Sequence, residues 1–117
     1  MFVVTVVLTI LLALLFSGTG IPKVAGMETS LRRAHHIGVG PRLNRLIGIL
    51  EICGVLGLLI GLWLAWLGAL AGAGLAALMI GAIATHVRAG DDRKAIAIPA
   101  IVALLTAAYT VTRLISA

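Results

Sequence analysis

The chain has 117 residues, of which 62% are hydrophobic and only 11% are charged, and its mean hydropathy is +1.20. Soluble domains are about 45–50% apolar and about 25% charged, so this composition excludes a water-soluble globular domain; it also excludes a disordered chain, since disorder requires low hydrophobicity. The net charge of +5 does not indicate nucleic acid binding here, because the basic residues stand at the ends of apolar segments, where they orient a membrane protein. The single cysteine, Cys53, excludes an internal disulfide and a dithiol mechanism.

The distribution of apolar residues predicts an all-α, membrane-spanning four-helix bundle that forms one domain over residues 1–117. A transmembrane helix needs about 20 apolar residues, with a lower limit of about 17, and four segments of the chain are apolar over roughly that length. The predicted helices span residues 1–17, 42–65, 67–88 and 95–116. Very little of the chain is left to fold outside the membrane.

The first helix is predicted to end at Ser17–Pro22, because glycine and proline both interrupt helices. A signal peptide is the alternative for this segment, but no basic residue precedes Phe2, and signal peptides begin with a positively charged region. The longest polar loop follows, over residues 17–45. Within it we expect a short helix at the membrane interface, beginning at Thr29 and ending before Gly38.

The segment Leu46–Thr85 is apolar over forty residues and contains one charged side chain. A helix of that length would measure about 60 Å, twice the hydrocarbon core of about 30 Å, so the segment must fold as two helices. We place the turn around Leu64–Gly68, where Trp63 and Trp66 fit because indole rings favour the headgroup level. Pro41 and Pro99 are expected in the first turns of the second and fourth helices, where a missing N–H costs little.

The basic residues predict the orientation of the bundle. Arg113 alone lies on the side of the second loop and the two termini, whereas eight basic residues lie in the first and third loops. These eight are Lys23, Arg32, Arg33, Arg42, Arg45, Arg88, Arg93 and Lys94. By the positive-inside rule, the first and third loops are cytoplasmic and both termini are outside.

Small residues recur at intervals of four along the second and third helices. Such spacing lets helix backbones approach closely, which drives helix association in lipid. The glycines expected to pack in this way are Gly57, Gly61, Gly68, Gly72 and Gly81. The pattern fits packing within the bundle, and it also fits a docking face for another subunit.

Glu51 is the only carboxylate inside an apolar segment. Burying it costs about 2.5–3.5 kcal/mol on insertion scales, so it should be protonated or paired. Gly48 and Gly54 flank it three residues away on each side, which predicts that it points into the bundle. We expect four basic side chains to cluster with it. Lys23 and His86 are the preferred partners, and Arg45 and Arg88 are the other two. Three roles remain open for the cluster: an internal salt bridge, a ligand or proton-handling site, and a contact to a partner protein.

Other reactive side chains carry little signal. His35 and His36 are adjacent, so they point about 100° apart on a helix and do not predict a metal site. Cys53 lies among apolar residues, where a thiol is typically inert. Arg113 is expected to extend to the far membrane interface. No catalytic residue is predicted, and no cofactor is assigned, although a quinone or a lipid stays open as a ligand.

Several motifs carry a family resemblance. Ser17-Gly18 precedes Lys23 at the end of the first helix, the second helix contains the pattern G-x-L-E-x-x-G-x-x-G-L over residues 48–58, and the third helix ends in Ala82-Ile83-Ala84-Thr85-His86-Val87-Arg88. In these features the chain resembles the DoxX-like family of small four-helix membrane proteins. The family's spacing between glycine and lysine is tighter than Gly18 to Lys23, but Gly20 restores it.

The resemblance implies an integral membrane protein that works with others. Named members include a subunit linked to thiosulfate:quinone oxidoreduction, partners of membrane oxidative-stress complexes, and a receptor-assembly chaperone. The positions that match are Lys23, Glu51 and His86 and, more loosely, Arg45 and Arg88.

Our leading functional hypothesis is a non-catalytic accessory or assembly subunit of a larger membrane protein, or a homo-oligomer, in the lipid bilayer. A quinone-linked redox component is one alternative, and a small lipid or hydrophobic-ligand binding or transport protein is another. The preference for arginine over lysine and the abundance of alanine and glycine suggest a G+C-rich genome, and hence the inner (plasma) membrane of a bacterium.

Overall fold

The computed structural model describes residues 2–115, and every element of regular secondary structure in that range is a helix. The five helices in these residues are α1 (Phe2–Ala25), α2 (Glu28–His36), α3 (Pro41–Ile60), α4 (Ala65–Arg88) and α5 (Arg93–Ile115). All of them except α2 are long and apolar enough to cross a membrane. The prediction of an all-α fold with four membrane spans is therefore confirmed.

The four long helices form a closed ring in the order α1, α3, α4, α5, in which each helix packs against two neighbours. The short α2 packs against α1 and α3. The molecule measures 40 × 28 × 18 Å, so its long dimension exceeds a hydrocarbon core of about 30 Å. The buried core residues are Leu12, Phe16, Val55, Leu58, Leu75 and Tyr109.

The predicted end of the first helix at residue 17 is wrong, because α1 continues through Pro22 to Ala25. Gly20 lies so close to α3 that a Cβ built there would be 3.2 Å from the Cβ of Glu51, and this packing stabilises the last turns despite the proline. The helix instead ends at Ala25, and the next residue, Gly26, has a φ of +68°, which suits a residue without a side chain. The amide of Met27 donates to the carbonyl of Pro22 at 3.0 Å, as in a Schellman motif.

The turn between the second and third spans also lies earlier than predicted. The structure ends α3 at Ile60 rather than 65 and begins α4 at Ala65 rather than 67. The backbones of Gly61 and Gly68 are in direct contact, which only residues without a Cβ permit, and this contact draws the two helix ends together. Trp63 lies in the turn and is 79% exposed.

The remaining boundaries agree more closely with the sequence. The short helix forms as α2, and Pro41 is the first residue of α3. The fourth span begins at Arg93 rather than 95, after Asp92 Oδ1 accepts a hydrogen bond from the amide of Ala95 at 3.0 Å. Pro99 consequently lies in the second turn of α5. The predicted start at residue 1 and end at residue 116 lie outside the described residues.

Four of the five glycines expected to pack do lie at helix contacts. A Cβ on Gly57 would be 2.7 Å from the Cβ of Ala71, and a Cβ on Gly68 would be 2.6 Å from the hydroxyl of Tyr109. Gly61 meets Gly68, and Gly72 meets Thr110. The fifth, Gly81, has no atom within 4 Å of such a Cβ, because it faces the cavity described below.

Candidate functional site

Glu51 is fully buried in the bundle and is held by two side chains of α1. Lys23 Nζ donates to Glu51 Oε1, and Thr19 Oγ1 donates to Glu51 Oε2. Glu51 lies ten residues after Pro41 and therefore about 15 Å along the axis of α3. Both carboxylate oxygens are engaged, so the pair links α1 to α3 at depth.

The close approach of α1 and α3 allows Lys23 to reach Glu51. A Cβ built on Gly48 would lie 2.6 Å from the Cβ of Lys23 and 2.9 Å from the carbonyl oxygen of Gly20. The helix surfaces thus touch backbone to backbone one turn from Glu51. The extension of α1 beyond residue 17 is also required, because it places Thr19 and Lys23 on a helix facing α3.

His86, the other preferred partner of Glu51, makes its hydrogen bond elsewhere. Its Nδ1 lies 2.5 Å from Asp91 Oδ2, and His36 Nε2 lies 2.6 Å from Asp91 Oδ1. We call this three-residue arrangement the Asp91 bridge. The amide of Asp91 donates to the carbonyl of His86 at 3.0 Å around Gly90, which has a φ of +73°, so the end of α4 itself folds the carboxylate back onto the imidazole.

The Asp91 bridge joins α2 to the loop between α4 and α5. The hydrogen bond from His86, and then that from His36, hold the pKa of Asp91 below its ordinary value of 3.8, against a smaller opposing effect of burial. The carboxylate is therefore ionised at neutral pH. Sequence reasoning missed this bridge, although the spacing of Gly90 and Asp91 after His86 is a detectable helix-end signal.

Two other basic residues expected in the Glu51 cluster lie apart from it. Arg45 is exposed on α3, with its guanidinium near Gly26 at the end of α1, 3.6 Å from a Cβ built there. Arg88 is exposed at the last residue of α4. Of the predicted cluster, the described residues bring together only Lys23 and Glu51, joined by the unpredicted Thr19.

A cavity of about 820 Å³ lies between α1, α2, α3 and α4, beside the Glu51 pair. This volume falls in the range of small-molecule sites, about 300–1,000 Å³. The polar residues lining it are Thr19, Lys23, Thr29, Ser30, Arg32, Arg33, His36, Asn44, Glu51, Thr85 and His86. The larger apolar residues lining it are Ile37, Val39, Leu43, Ile47, Leu78 and Met79.

The helix α2 covers one side of this cavity. Its buried Ser30 accepts a hydrogen bond from Asn44 Nδ2 of α3 at 3.1 Å, which fixes α2 against α3. Within residues 2–115, α2 makes no helix contact with α4, so the two helices leave a gap that the Asp91 bridge spans at one end. The cavity therefore combines an apolar wall on α4 with a polar cover.

Arg113, expected to extend to the membrane interface, is instead buried. Its Nε donates to the carbonyl of Gly61 at 2.5 Å, and its Nη2 donates to that of Leu62 at 3.4 Å. The end of α3 leaves carbonyl groups without helical partners, and the guanidinium satisfies two of them. An arginine at the end of an apolar helix is compatible with either position, so no pattern in the sequence predicts that this one is buried.

These features define a small integral membrane protein with a polar intramembrane pair and a lined cavity. A family model described as the DoxX-like family matches residues 7–109, a range that includes Lys23, Glu51 and His86. The chain belongs to the DoxX-like family. No curated protein and no solved structure matches the chain significantly.

Proposed function

We propose that this DoxX-like protein binds an amphiphilic molecule of the membrane in the cavity between α1, α2, α3 and α4, without carrying out chemistry on it. The observation that carries the proposal is the cavity itself, with about 820 Å³ of space between the helices of so small a bundle, in which the described residues form four helices long and apolar enough to cross a membrane. Ligand sites are typically apolar hollows with a few placed polar groups, and this cavity has that composition.

The two sides of the cavity suit the two ends of an amphiphile. Leu78 and Met79 of α4 provide an apolar wall for a hydrocarbon chain, while Lys23 lies on the opposite side. The ammonium group of Lys23 has three N–H donors, and its side chain is 25% exposed beside the buried Glu51. Lys23 can therefore hold Glu51 and still donate to a ligand.

This arrangement favours a binding role over the proton-handling role considered for Glu51 and His86. Glu51 is engaged by Lys23 and Thr19, and His86 by Asp91. The two groups therefore do not form a hydrogen-bonded pair that would relay protons between them. A quinone remains a candidate ligand by virtue of its amphiphilic shape.

The proposal is tested by filling the cavity without disturbing the fold. Gly81 lines the cavity and has open space at its Cβ position, so Gly81→Leu should occupy the cavity without a clash. Gly74→Leu is the matched control, because Gly74 lies on the same helix with equally open space but does not line this cavity.

Binding would be measured by native mass spectrometry of the full chain in detergent. The probes are phosphatidylglycerol, phosphatidylcholine, oleate, oleyl alcohol and a short-chain ubiquinone. We expect at least one probe to bind the unmodified chain and the Gly74→Leu variant, and to bind Gly81→Leu at least tenfold more weakly, about 1.4 kcal/mol. Absence of binding by all probes, or equal binding to both variants, contradicts the proposal.

An accessory or assembly subunit is the second candidate function. It is supported by Gly74, whose open surroundings leave a small-residue site on α4 that the bundle does not fill. Co-purification in a mild detergent should then recover a stoichiometric partner, or a second copy of the chain, that Gly74→Leu removes and Gly81→Leu retains. A monomer free of other proteins would contradict this role.

We further propose that the end of the bundle carrying α2 faces the cytoplasm of a bacterium, with the termini outside. The support is the concentration of basic residues at that end, together with the burial of Arg113 at the other. A C-terminal alkaline phosphatase fusion should be active and a C-terminal green fluorescent protein fusion dark. The opposite pattern would overturn the orientation.

A further inference from the structure

We infer that the cavity selects an anionic amphiphile, with its charged group held between Lys23 and the paired arginines of α2. This inference rests on the proposed binding function and adds the chemical class of the ligand. The juxtaposition that carries it is one cavity lined by Lys23 of α1 and by Arg32 and Arg33 of α2, whose one lining carboxylate is already engaged.

The charges lining the cavity are unequal. Within residues 2–115, three side chains of permanent positive charge line it, and Glu51 is the one lining carboxylate. Both oxygens of Glu51 already accept hydrogen bonds, and the two lining histidines are engaged by Asp91. The charged groups left to meet a ligand are therefore cationic.

The arginines retain most of their hydrogen-bonding capacity. Arg33 Nε donates to the carbonyl of Thr29 at a long 3.4 Å, which leaves its terminal N–H groups for another acceptor. Arg32 is exposed on the same helix. Guanidinium groups bind carboxylate and phosphate oxygens in a bidentate manner, so the arginines of α2 match either kind of anionic headgroup.

The placement of these arginines separates a site from a general surface effect. Basic residues near a cytoplasmic membrane surface attract anionic lipids wherever they lie. Arg88 and Arg93 are exposed at the ends of α4 and α5 and do not line the cavity. If charge alone mattered, removing either pair of arginines would weaken binding equally, whereas a cavity site depends on the α2 pair.

The experiment compares two double variants of the full chain, Arg32→Gln/Arg33→Gln and Arg88→Gln/Arg93→Gln, which lose the same net charge. Lipid titrations followed by native mass spectrometry use two matched pairs of probes. Phosphatidylglycerol and phosphatidylcholine differ in headgroup charge, and oleate and oleyl alcohol share a chain but differ in the carboxylate. Circular dichroism melting checks that both variants are folded.

We expect the anionic probe of at least one pair to bind roughly tenfold more tightly than its neutral or zwitterionic counterpart, and the α2 variant to lose that preference while the control variant keeps it. Preference for phosphatidylglycerol alone identifies a phospholipid, and preference for oleate alone identifies a free fatty acid. Equal binding within both pairs, or equal loss in both variants, overturns the inference but leaves the proposed binding function standing. Failure of all probes to bind overturns the binding function itself.

Discussion

Lys23 on α1 donates a hydrogen bond to the fully buried Glu51 on α3, so that two helices separated by the whole of α2 are joined by an ion pair inside the bundle. Thr19, one turn before Lys23, engages the second oxygen of the same carboxylate. The contact accounts for how a chain of apolar helices tolerates a carboxylate about 15 Å from the start of α3. It also places a lysine at the edge of the cavity of about 820 Å³ between α1, α2, α3 and α4.

Replacing Glu51 with glutamine should lower the free energy of unfolding by about 1–3 kcal/mol, because hydrogen bonds to a charged group are lost while the shape of the side chain is retained. Thermal melting of the purified chain in detergent would measure it. Glu28→Gln is the control, since Glu28 is exposed on α2, and it should change stability by less than about 0.5 kcal/mol. Equal melting temperatures for both variants would show that the pair does not stabilise the bundle.

Removing Lys23 should be more damaging than removing the charge of Glu51, because Lys23→Met leaves a carboxylate buried with Thr19 as its remaining partner. The double variant Lys23→Met/Glu51→Gln should recover part of that loss, giving a coupling energy of about 0.5–3 kcal/mol in a double-mutant cycle. Strict additivity of the two single effects would mean that the ion pair contributes nothing of its own.

Adding a methyl group at Gly48 should separate α1 from α3. The new Cβ would lie 2.9 Å from the backbone oxygen of Gly20 and 3.0 Å from the backbone nitrogen of Val24, and backbone atoms cannot move aside as a side chain can. We expect Gly48→Ala to destabilise the fold by about 1–3 kcal/mol. Gly18→Ala, on α1 with no atom within 4 Å, should be neutral or stabilising by up to about 1 kcal/mol.

Arg113 should be required for the stability of the opposite end of the bundle. Replacing it with the shorter glutamine removes the guanidinium N–H groups that donate to the carbonyls of Gly61 and Leu62, and we expect a loss of about 1–3 kcal/mol in the free energy of thermal or chemical unfolding. Arg88→Gln removes the same charge from an exposed site and should stay within about 0.5 kcal/mol. A melting temperature unaffected by Arg113→Gln would rule out this capping role.

The Asp91 bridge predicts an effect of pH on α2. Because the pKa of Asp91 lies below 3.8 in the folded chain, its stabilising effect is fully present above that pH and is lost as the pH falls through the lowered pKa. Hydrogen exchange of the α2 amides should therefore be faster at about pH 3 than expected from the intrinsic pH dependence of exchange.

The same acceleration should appear at neutral pH in Asp91→Asn, which lacks the charge. Asp92→Asn is the control, since the carboxylate of Asp92 accepts its hydrogen bond from the amide of Ala95 at the start of α5. Unchanged exchange in α2 after Asp91→Asn would mean that the hydrogen bond of Asn44 with Ser30 holds the helix alone.

The sequence predicted best those parts of the fold that depend on the properties of neighbouring residues along the chain. Four membrane-crossing segments follow from the length and apolarity of each stretch, and α2 and the start of α3 follow from their flanking glycines and Pro41. The end of α1 is predicted wrongly, because proline at position 22 favours a helix end by its local propensity, whereas contact with α3 at Gly20 stabilises the helix beyond it. That contact is a tertiary one, so local propensity does not reflect it.

The polar residues divide in the same way. The sequence by itself determined that Glu51 must be neutralised, that basic residues gather at one end of the chain's helices, and that glycines permit close packing, because burial costs and residue size are properties of the residue type. Only the tertiary structure decided that Lys23 and Thr19 bind the carboxylate. It also decided that His86 bonds to Asp91 and that Arg113 donates to carbonyls at the end of α3. Those choices depend on helix lengths and on backbone separations of a few ångströms, which arise only when the helices pack together.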